Sequence, residues 1–124
     1  MNWVLFLAAL MLTESDGNWD AIGDRNLKHQ AYTAYQIRQP YLDDVNRIMK
    51  TSYTMSEVRD SQTVAKWCVV AYIKHYGKRY TRLTGKPLTM EVAARLHNGG
   101  PNGWKRSATD KHWTRFQDKL KKVQ

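Results

Sequence analysis

An apolar run near the start of the chain limits the possible folds most strongly. Residues 3–12 carry no charged or strongly polar side chain, and they lead directly into Thr13 and Glu14. The run has the length of a helix but is far shorter than the roughly 20 residues that a membrane span needs. A helix that is apolar on all sides is buried. We therefore expect a central helix over residues 2–14, with the other helices packed around it.

The same run does not have the form of a secretory signal. No basic segment precedes it, and no small-residue cleavage site separates it from the polar residues that follow. Cleavage after the run would also remove the helix that carries Glu14. We expect neither a cleaved signal peptide nor a membrane span in this chain.

Length and cysteine content restrict the class of protein. A chain of 124 residues with 42% hydrophobic residues predicts one globular domain over residues 1–124, and we expect a monomer. The single cysteine, Cys68, excludes an intramolecular disulfide and a cysteine-based zinc site. The four histidines show no metal-ligand spacing, so we expect no metal site and no cofactor.

Helical periodicity dominates the rest of the chain. The clearest amphipathic helix covers residues 61–76 and is predicted to end at Gly77. Pro40 suits the first turn of a second helix, and Ser107 with Asp110 resembles a capping box for the last one. A short helix is predicted over residues 90–96, before Asn98-Gly99-Gly100-Pro101. The fold class is therefore mainly α, in the α+β sense, with a long loop or small hairpin at about residues 16–35.

The chain carries a net charge of +9, which favours anionic partners. Charge alone does not distinguish an anionic cell wall from nucleic acid or anionic lipid. The basic stretch from Lys105 to Lys122 also fits a solvated helix face that only improves solubility.

Glu14 is the first candidate for chemistry. A carboxyl group at the end of an apolar helix is partly desolvated, which raises its pKa and keeps it protonated near neutral pH. Such a group is able to act as a general acid, although an exposed helix end would give Glu14 no such role. Asp24 is the preferred second carboxylate, because its loop is able to fold back over the helix end. Asp16 and Asp20 remain alternatives, and any of the three is equally suited to a turn.

The segment His97-Asn98-Gly99-Gly100 is the second candidate. Adjacent glycines let the backbone approach a ligand closely, and the Asn98 amide is able to donate to and accept from a sugar. Asn and Gly are also the usual residues of a helix C-cap, and a single His is more often structural than catalytic. Aromatic residues flank these motifs and suit a sugar-binding groove, although ordinary core packing is the alternative: Trp19, Tyr32, Tyr35 and Trp104.

Three segments resemble one family. Ala94 to Trp104 is similar to the His-Asn-Gly-Gly-Pro-Asn-Gly signature of invertebrate-type, or destabilase-like, lysozymes. Glu14-Ser15 resembles the catalytic Glu-Ser of that family, and Tyr35-Gln36-Ile37 resembles its Phe-Gln-Ile. A broader likeness to soluble lytic transglycosylases rests on the same elements. The resemblance implies a lysozyme-like helical fold that cuts the β-1,4 bond between N-acetylmuramic acid and N-acetylglucosamine.

The chain departs from the family pattern at several positions. The family's catalytic aspartate falls nearest Asn26, two residues from Asp24. Thr33 stands where the resemblance implies a glycine, and Trp104 stands where it implies a cysteine. A version without disulfides suits a bacterial or phage protein better than a secreted animal one.

The resemblance and the residues together favour a glycoside hydrolase, a muramidase, that acts at the cell wall, in the periplasm or outside the cell. Glu14 is the expected general acid and Asp24 its expected partner. Seven residues are expected to contact peptidoglycan: Ser15, Tyr35, Gln36, Ile37, His97, Asn98 and Gly99. The alternatives are a lytic transglycosylase that uses Glu14 alone and a non-catalytic wall-binding protein. A nucleic-acid binder is the weakest alternative, because it explains neither Glu14 nor the Asn-Gly-Gly segment.

Overall fold

The computed structural model describes all 124 residues. It contains six α-helices, three two-residue strands and two 3₁₀ turns, at Gly103–Lys105 and Ser107–Thr109. The helices and strands, in chain order, are α1 (Trp3–Ser15), β1 (Ile22–Gly23), β2 (Ala31–Tyr32), β3 (Ile37–Arg38), α2 (Gln39–Met49), α3 (Met55–Asp60), α4 (Gln62–Thr84), α5 (Met90–Gly99) and α6 (Asp110–Val123). This mainly helical architecture with a small sheet confirms the predicted fold class.

The first helix is buried along one side and is not enclosed on all sides as its composition predicts, since Val4 is 80% exposed. The Asn2 side chain accepts a hydrogen bond from the Leu5 amide, and Asp16 ends the helix in the left-handed region. Phe6, Ala9 and Leu10 are completely buried, and α6 packs along the helix. None of the helices is both long enough and apolar enough to cross a membrane.

The sheet forms one wall beside the end of α1. Its strands are antiparallel in the order β1-β2-β3, with Ile22 opposite Tyr32 and Ala31 opposite Arg38. The predicted hairpin at residues 16–35 is thus incomplete, because a third strand adds residues 37–38 and leads without a break into α2. Ile37 is the first residue of β3, so Gln36 lies directly before the third strand of the sheet.

The longest helix differs from its prediction. Gly77 does not end α4, because the Leu88 side chain packs against this glycine and occupies the space that a Cβ would fill. The helix continues to Thr84 and ends at Gly85. The φ of Gly85 is 72°, in the left-handed region that glycine adopts without strain. The short helix α3, which the sequence analysis did not predict, precedes α4 and has a capping box formed by Thr54 and Glu57.

The predicted capping box of the last helix is wrong. Ser107 begins a separate 3₁₀ turn, and α6 starts only at Asp110 without a side-chain cap. The Asp110 carboxylate instead accepts a hydrogen bond from Arg95 at 2.6 Å, which joins the start of α6 to α5. This contact helps to fix the direction of α6 across the end of α1.

Candidate active site

A cleft of about 730 Å³ lies where the end of α1 meets the sheet, the start of α2 and the end of α5. Its lining is mostly polar. The polar and charged side chains in the lining are Glu14, Asp24, Gln36, Arg38, Tyr41, Asp44, Tyr72, His97, Asn98 and Arg115. The cleft therefore brings the two predicted carboxylates and part of the Asn-Gly-Gly segment together.

Glu14 sits in the last turn of α1 and only 15% of its side chain is exposed. Its Oε1 atom lies 2.6 Å from Nε2 of His112 on α6 and 3.8 Å from Nε2 of His97 on α5. Helix α1 thus supplies the acid, and two other helices supply the groups that surround it.

The pKa of Glu14 is lowered, which corrects the expectation of a raised value. Burial alone would raise the pKa, as the sequence analysis expected. The hydrogen bond from His112 favours the carboxylate, and together with the electrostatic influence of neighbouring groups, Arg115 among them, it outweighs burial. The residues responsible come from α5 and α6, so they were not visible in the sequence around Glu14.

His97 is buried in the cleft wall, with 3% of its side chain exposed. Its Nε2 lies 2.8 Å from the Tyr35 carbonyl oxygen, and its Nδ1 lies 3.0 Å from the Tyr41 hydroxyl. A neutral ring satisfies both contacts, since Nε2–H donates to the carbonyl and Nδ1 accepts from the hydroxyl. Burial lowers the pKa of His97, in agreement with a neutral ring. Both ring nitrogens are used within the protein, so His97 shapes the wall of the cleft that it lines, and its contact with a ligand stays a prediction.

Gln36 closes the turn at the floor of the cleft. Its amide nitrogen donates to the Thr33 carbonyl at 2.9 Å and to the Ala21 carbonyl at 3.3 Å. A Cβ on Gly23 would overlap the Gln36 side-chain oxygen, so β1 requires glycine at this position. Gln36 therefore ties β1 to the β2–β3 turn while it also lines the cleft.

The Asn-Gly-Gly segment forms the opposite rim. Asn98 is exposed and lines the cleft, as does Gly99. Gly100 ends α5 with φ 82° and ψ −167°, a conformation that is open essentially to glycine alone. A Cβ on Gly99 would meet the Thr109 side chain, so this glycine allows close packing. The segment is both a helix cap and a cleft rim.

Three predicted contact residues do not line the cleft. Tyr35 and Ile37 are completely buried in the core, so the prediction that their side chains contact a ligand is wrong. The Ser15 hydroxyl donates to the Ala34 carbonyl at 2.8 Å, which fastens the end of α1 to the β2–β3 turn. The tight turn and the strand that follows it direct Tyr35 and Ile37 into the core, whereas Ser15 lies at the end of α1 with its hydroxyl bonded to that turn.

The predicted aromatic residues also lie elsewhere. Trp19 and Tyr32 line a separate cavity of about 680 Å³, and Trp104 packs edge-on against Tyr80. The aromatic rings in the cleft belong instead to Tyr41 and Tyr72, whose centroids are 3.8 Å apart in a stacked arrangement. Helical spacing alone did not separate these tyrosines from ordinary core residues.

Comparisons with known proteins agree with this geometry. Over 83 residues, 67% of the chain, it is 34% identical to a lysozyme of Meretrix lusoria and 40% identical to an invertebrate-type lysozyme of Ruditapes philippinarum. The crystal structure of Tapes japonica lysozyme superimposes with a TM-score of 0.72 at 31% identity, covering 91% of this chain and 86% of that one. The chain belongs to the invertebrate-type lysozyme family. No family model matches the chain.

The match to the curated invertebrate-type lysozymes is partial. The aligned region spans 62% of the Meretrix lusoria protein and 56% of the Ruditapes philippinarum protein, less than two thirds of either. The chain therefore spans little more than half of the length of these two relatives.

Asp24 and Asn26 differ in their position relative to the cleft. Asp24 lines the cleft with 44% of its side chain exposed, and it lies 3.7 Å from Nε of Arg38. Asn26, the position nearest the family's expected aspartate, is exposed and outside the cleft lining. Asp24 is therefore the acidic residue of this loop that lines the same cleft as Glu14.

Thr33 departs from the glycine that the resemblance implies. It has a φ of 71°, a conformation that is strained for a β-branched residue, and it is almost completely buried. Its hydroxyl accepts a hydrogen bond from the Tyr35 amide at 3.2 Å. The surrounding turn holds the strained backbone in place, so the turn keeps its shape without glycine.

His112, which contacts Glu14, and Asp44, which lines the cleft, are among the residues of the site that the sequence analysis missed. His112 falls on the same face of α6 as Phe116 and Leu120, and a histidine within an otherwise apolar stripe was the available signal. Asp44 accepts hydrogen bonds from Tyr76 and Arg47 on the α2 side of the cleft, and no sequence pattern indicated it.

Proposed function

We propose that this chain is a muramidase that hydrolyses the β-1,4 bond between N-acetylmuramic acid and N-acetylglucosamine, within one catalytic domain of residues 1–124. The observation that supports this best is the carboxyl group of Glu14, which is 15% exposed, lines the cleft and is held by His112. A partly buried carboxyl beside a groove is the arrangement that general acid catalysis requires.

Glu14 protonates the leaving glycosidic oxygen in this mechanism. Because its pKa is lowered, the free protein holds Glu14 mainly as a carboxylate at neutral pH. A sugar chain in the cleft displaces water from Glu14 and favours the protonated form. Activity should therefore increase as the pH falls below neutral, since more Glu14 then carries the proton.

Asp24 is the proposed second carboxylate. It lines the same cleft as Glu14 and is more exposed, so it is suited to remain ionised beside Arg38. It stabilises the cationic sugar centre, either directly or by activating a water molecule. Gln36, Asn98 and Gly99 are the proposed contacts to the sugar chain.

The charge of the protein supports a wall polymer as the substrate. A net charge of +9 attracts peptidoglycan and its anionic polymers, and this attraction weakens with ionic strength. We place the activity at the cell wall, in the periplasm or outside the cell, with the protein acting as a monomer and without a cofactor.

Digestion of purified peptidoglycan, followed by mass spectrometry, tests the proposal. The wild-type protein should release fragments with reducing N-acetylmuramic acid ends, and Glu14→Gln should release none. Glu91→Gln is the matched control, because Glu91 is exposed on α5 and pairs with Arg95 at 3.0 Å, outside the cleft. Binding to peptidoglycan without products from either protein would show that the proposed reaction does not occur.

A lytic transglycosylase is the second candidate. The specific observation in its favour is that Asp24 is 44% exposed and close to Arg38, which suits an ordinary surface carboxylate. In this reaction Glu14 acts first as acid and then as base, and the products are lighter by one water. Asp24→Asn would keep full activity in this case but lose most of it in a two-carboxylate hydrolase.

A further inference from the structure

His112 is a buried titratable residue that has no role in the proposed hydrolysis by Glu14 and Asp24. It lies on α6 with 3% of its side chain exposed, and its Nε2 is 2.6 Å from Oε1 of Glu14. The other ring nitrogen, Nδ1, is buried and has no hydrogen-bond partner in the protein. The contact joins residues that are 98 positions apart in the chain.

The two ring nitrogens determine where the proton sits. A proton on Nδ1 would be a buried donor without an acceptor, which costs free energy. The favourable neutral form therefore carries its proton on Nε2, which donates to Oε1 of Glu14. Oε2 of Glu14 is then the carboxyl oxygen left to carry the acid proton into the cleft.

The remaining charged groups near Glu14 do not take this role. His97 on α5 is 3.8 Å from Oε1, and both of its nitrogens are used by Tyr35 and Tyr41 of the cleft wall. Arg115 lies one turn along α6 from His112, lines the cleft and is exposed. His112 is therefore the group that contacts the carboxyl directly.

We propose that His112 is a positioning residue for Glu14, which fixes the orientation of the acid and stabilises its carboxylate after proton transfer. The inference rests on the proposed muramidase function. In the step itself, the Oε2–H bond of Glu14 breaks and its proton goes to the glycosidic oxygen. That oxygen also takes the electron pair of the broken carbon–oxygen bond. The Nε2–H of His112 stays on the ring and donates to the newly formed carboxylate.

Two variants of His112 test the inference by kinetics on peptidoglycan. His112→Leu removes the donor, so the maximum kcat of the pH profile, where Glu14 is fully protonated, should fall about 10- to 100-fold while KM stays unchanged. The basic limb of the pH–activity profile should move to higher pH, because the charged form of Glu14 loses a hydrogen bond. His112→Gln keeps an N–H donor and should restore most of kcat. His75→Gln is the control, since His75 is exposed on α4 and outside the cleft lining.

A titration that needs no activity separates this inference from the proposed function. The carboxyl carbon of Glu14, followed by nuclear magnetic resonance, should titrate at a higher pH in His112→Leu than in the wild type. An unchanged Glu14 pKa, or a kcat equal to that of the wild type, would overturn the inference. A raised Glu14 pKa in a protein that does not cleave peptidoglycan would instead overturn the muramidase proposal alone.

The experiment remains decisive when the leucine variant does not fold. The nitrogen chemical shifts of His112 in the wild type report which ring atom is protonated. A proton on Nε2, together with near-normal kcat in His112→Gln, would support the positioning role. A proton on Nδ1 alone would contradict it, because Nε2 would then have no hydrogen to donate to Glu14.

Discussion

Replacement of Tyr35 by phenylalanine should stabilise the protein. Tyr35 is completely buried between the sheet and the helices, and its ring lies edge-on to Trp19 at 5.5 Å. Its hydroxyl is buried and has no hydrogen-bond partner in the protein. The backbone of Tyr35 makes the contacts to Thr33 and His97, so Tyr35→Phe removes the hydroxyl and leaves those contacts intact.

The expected gain follows from the cost of the unpaired group. A buried donor without a partner costs about 1–3 kcal/mol, and the void left by one oxygen offsets only about 0.5 kcal/mol. A net gain of about 0.5–2.5 kcal/mol results. With an unfolding entropy of about 2.1 cal/mol/K per residue, this gain corresponds to about 2–10 °C in the unfolding midpoint of 124 residues.

Thermal unfolding followed by circular dichroism provides the measurement, with Tyr76→Phe as the matched control. The Tyr76 hydroxyl donates to Asp44, so its removal should destabilise the protein by about 1–3 kcal/mol. Burial raises the pKa of Tyr35 to about 12, so the wild type should lose more stability than Tyr35→Phe as the pH rises above about 10. A Tyr35→Phe midpoint equal to or below wild type would refute the reasoning, because it would mean that the hydroxyl is satisfied.

Three further predictions follow from the fold, the pKa shifts and the charge. Gly103→Ala should cost about 2–3 kcal/mol in urea unfolding, because its Cβ would overlap the Arg95 carbonyl; Gly85→Ala, which meets no atom but has φ 72°, should cost only about 1 kcal/mol. Equal losses would contradict this. The folded-state pKa values of His97 and Glu14 are lowered, so calorimetric stability should be full at neutral pH. Stability should decrease as the pH is lowered below about 6.5, and it should decrease further below about pH 4.5. A stability that does not change with pH would exclude both pKa shifts. Cleavage of peptidoglycan should slow as salt is added, because salt screens the net charge of +9. A rate that does not depend on salt would contradict the proposed electrostatic attraction to the wall polymer.

Local chemistry determined the features that could be predicted from the sequence. An all-apolar run is able to fold only as a buried helix, so the central position of α1 and the place of Glu14 at its end were predictable. Asn98, Gly99 and Gly100 stop α5 because the backbone there needs a conformation that is open to glycine, and Thr89 begins that helix with a side-chain cap. Each of these features depends on residues close together in the chain.

Tertiary packing decided the rest. The sequence around Glu14 contains no residue that would lower its pKa, yet that pKa is lowered because His112 donates a hydrogen bond from a helix far along the chain. Gly77 reads as a helix end, but it lies inside α4 because Leu88 packs against it. Periodicity shows which face of a helix is buried, but not which residue of another element meets that face. The contacts that define the environment of the acid therefore exist only in the folded chain.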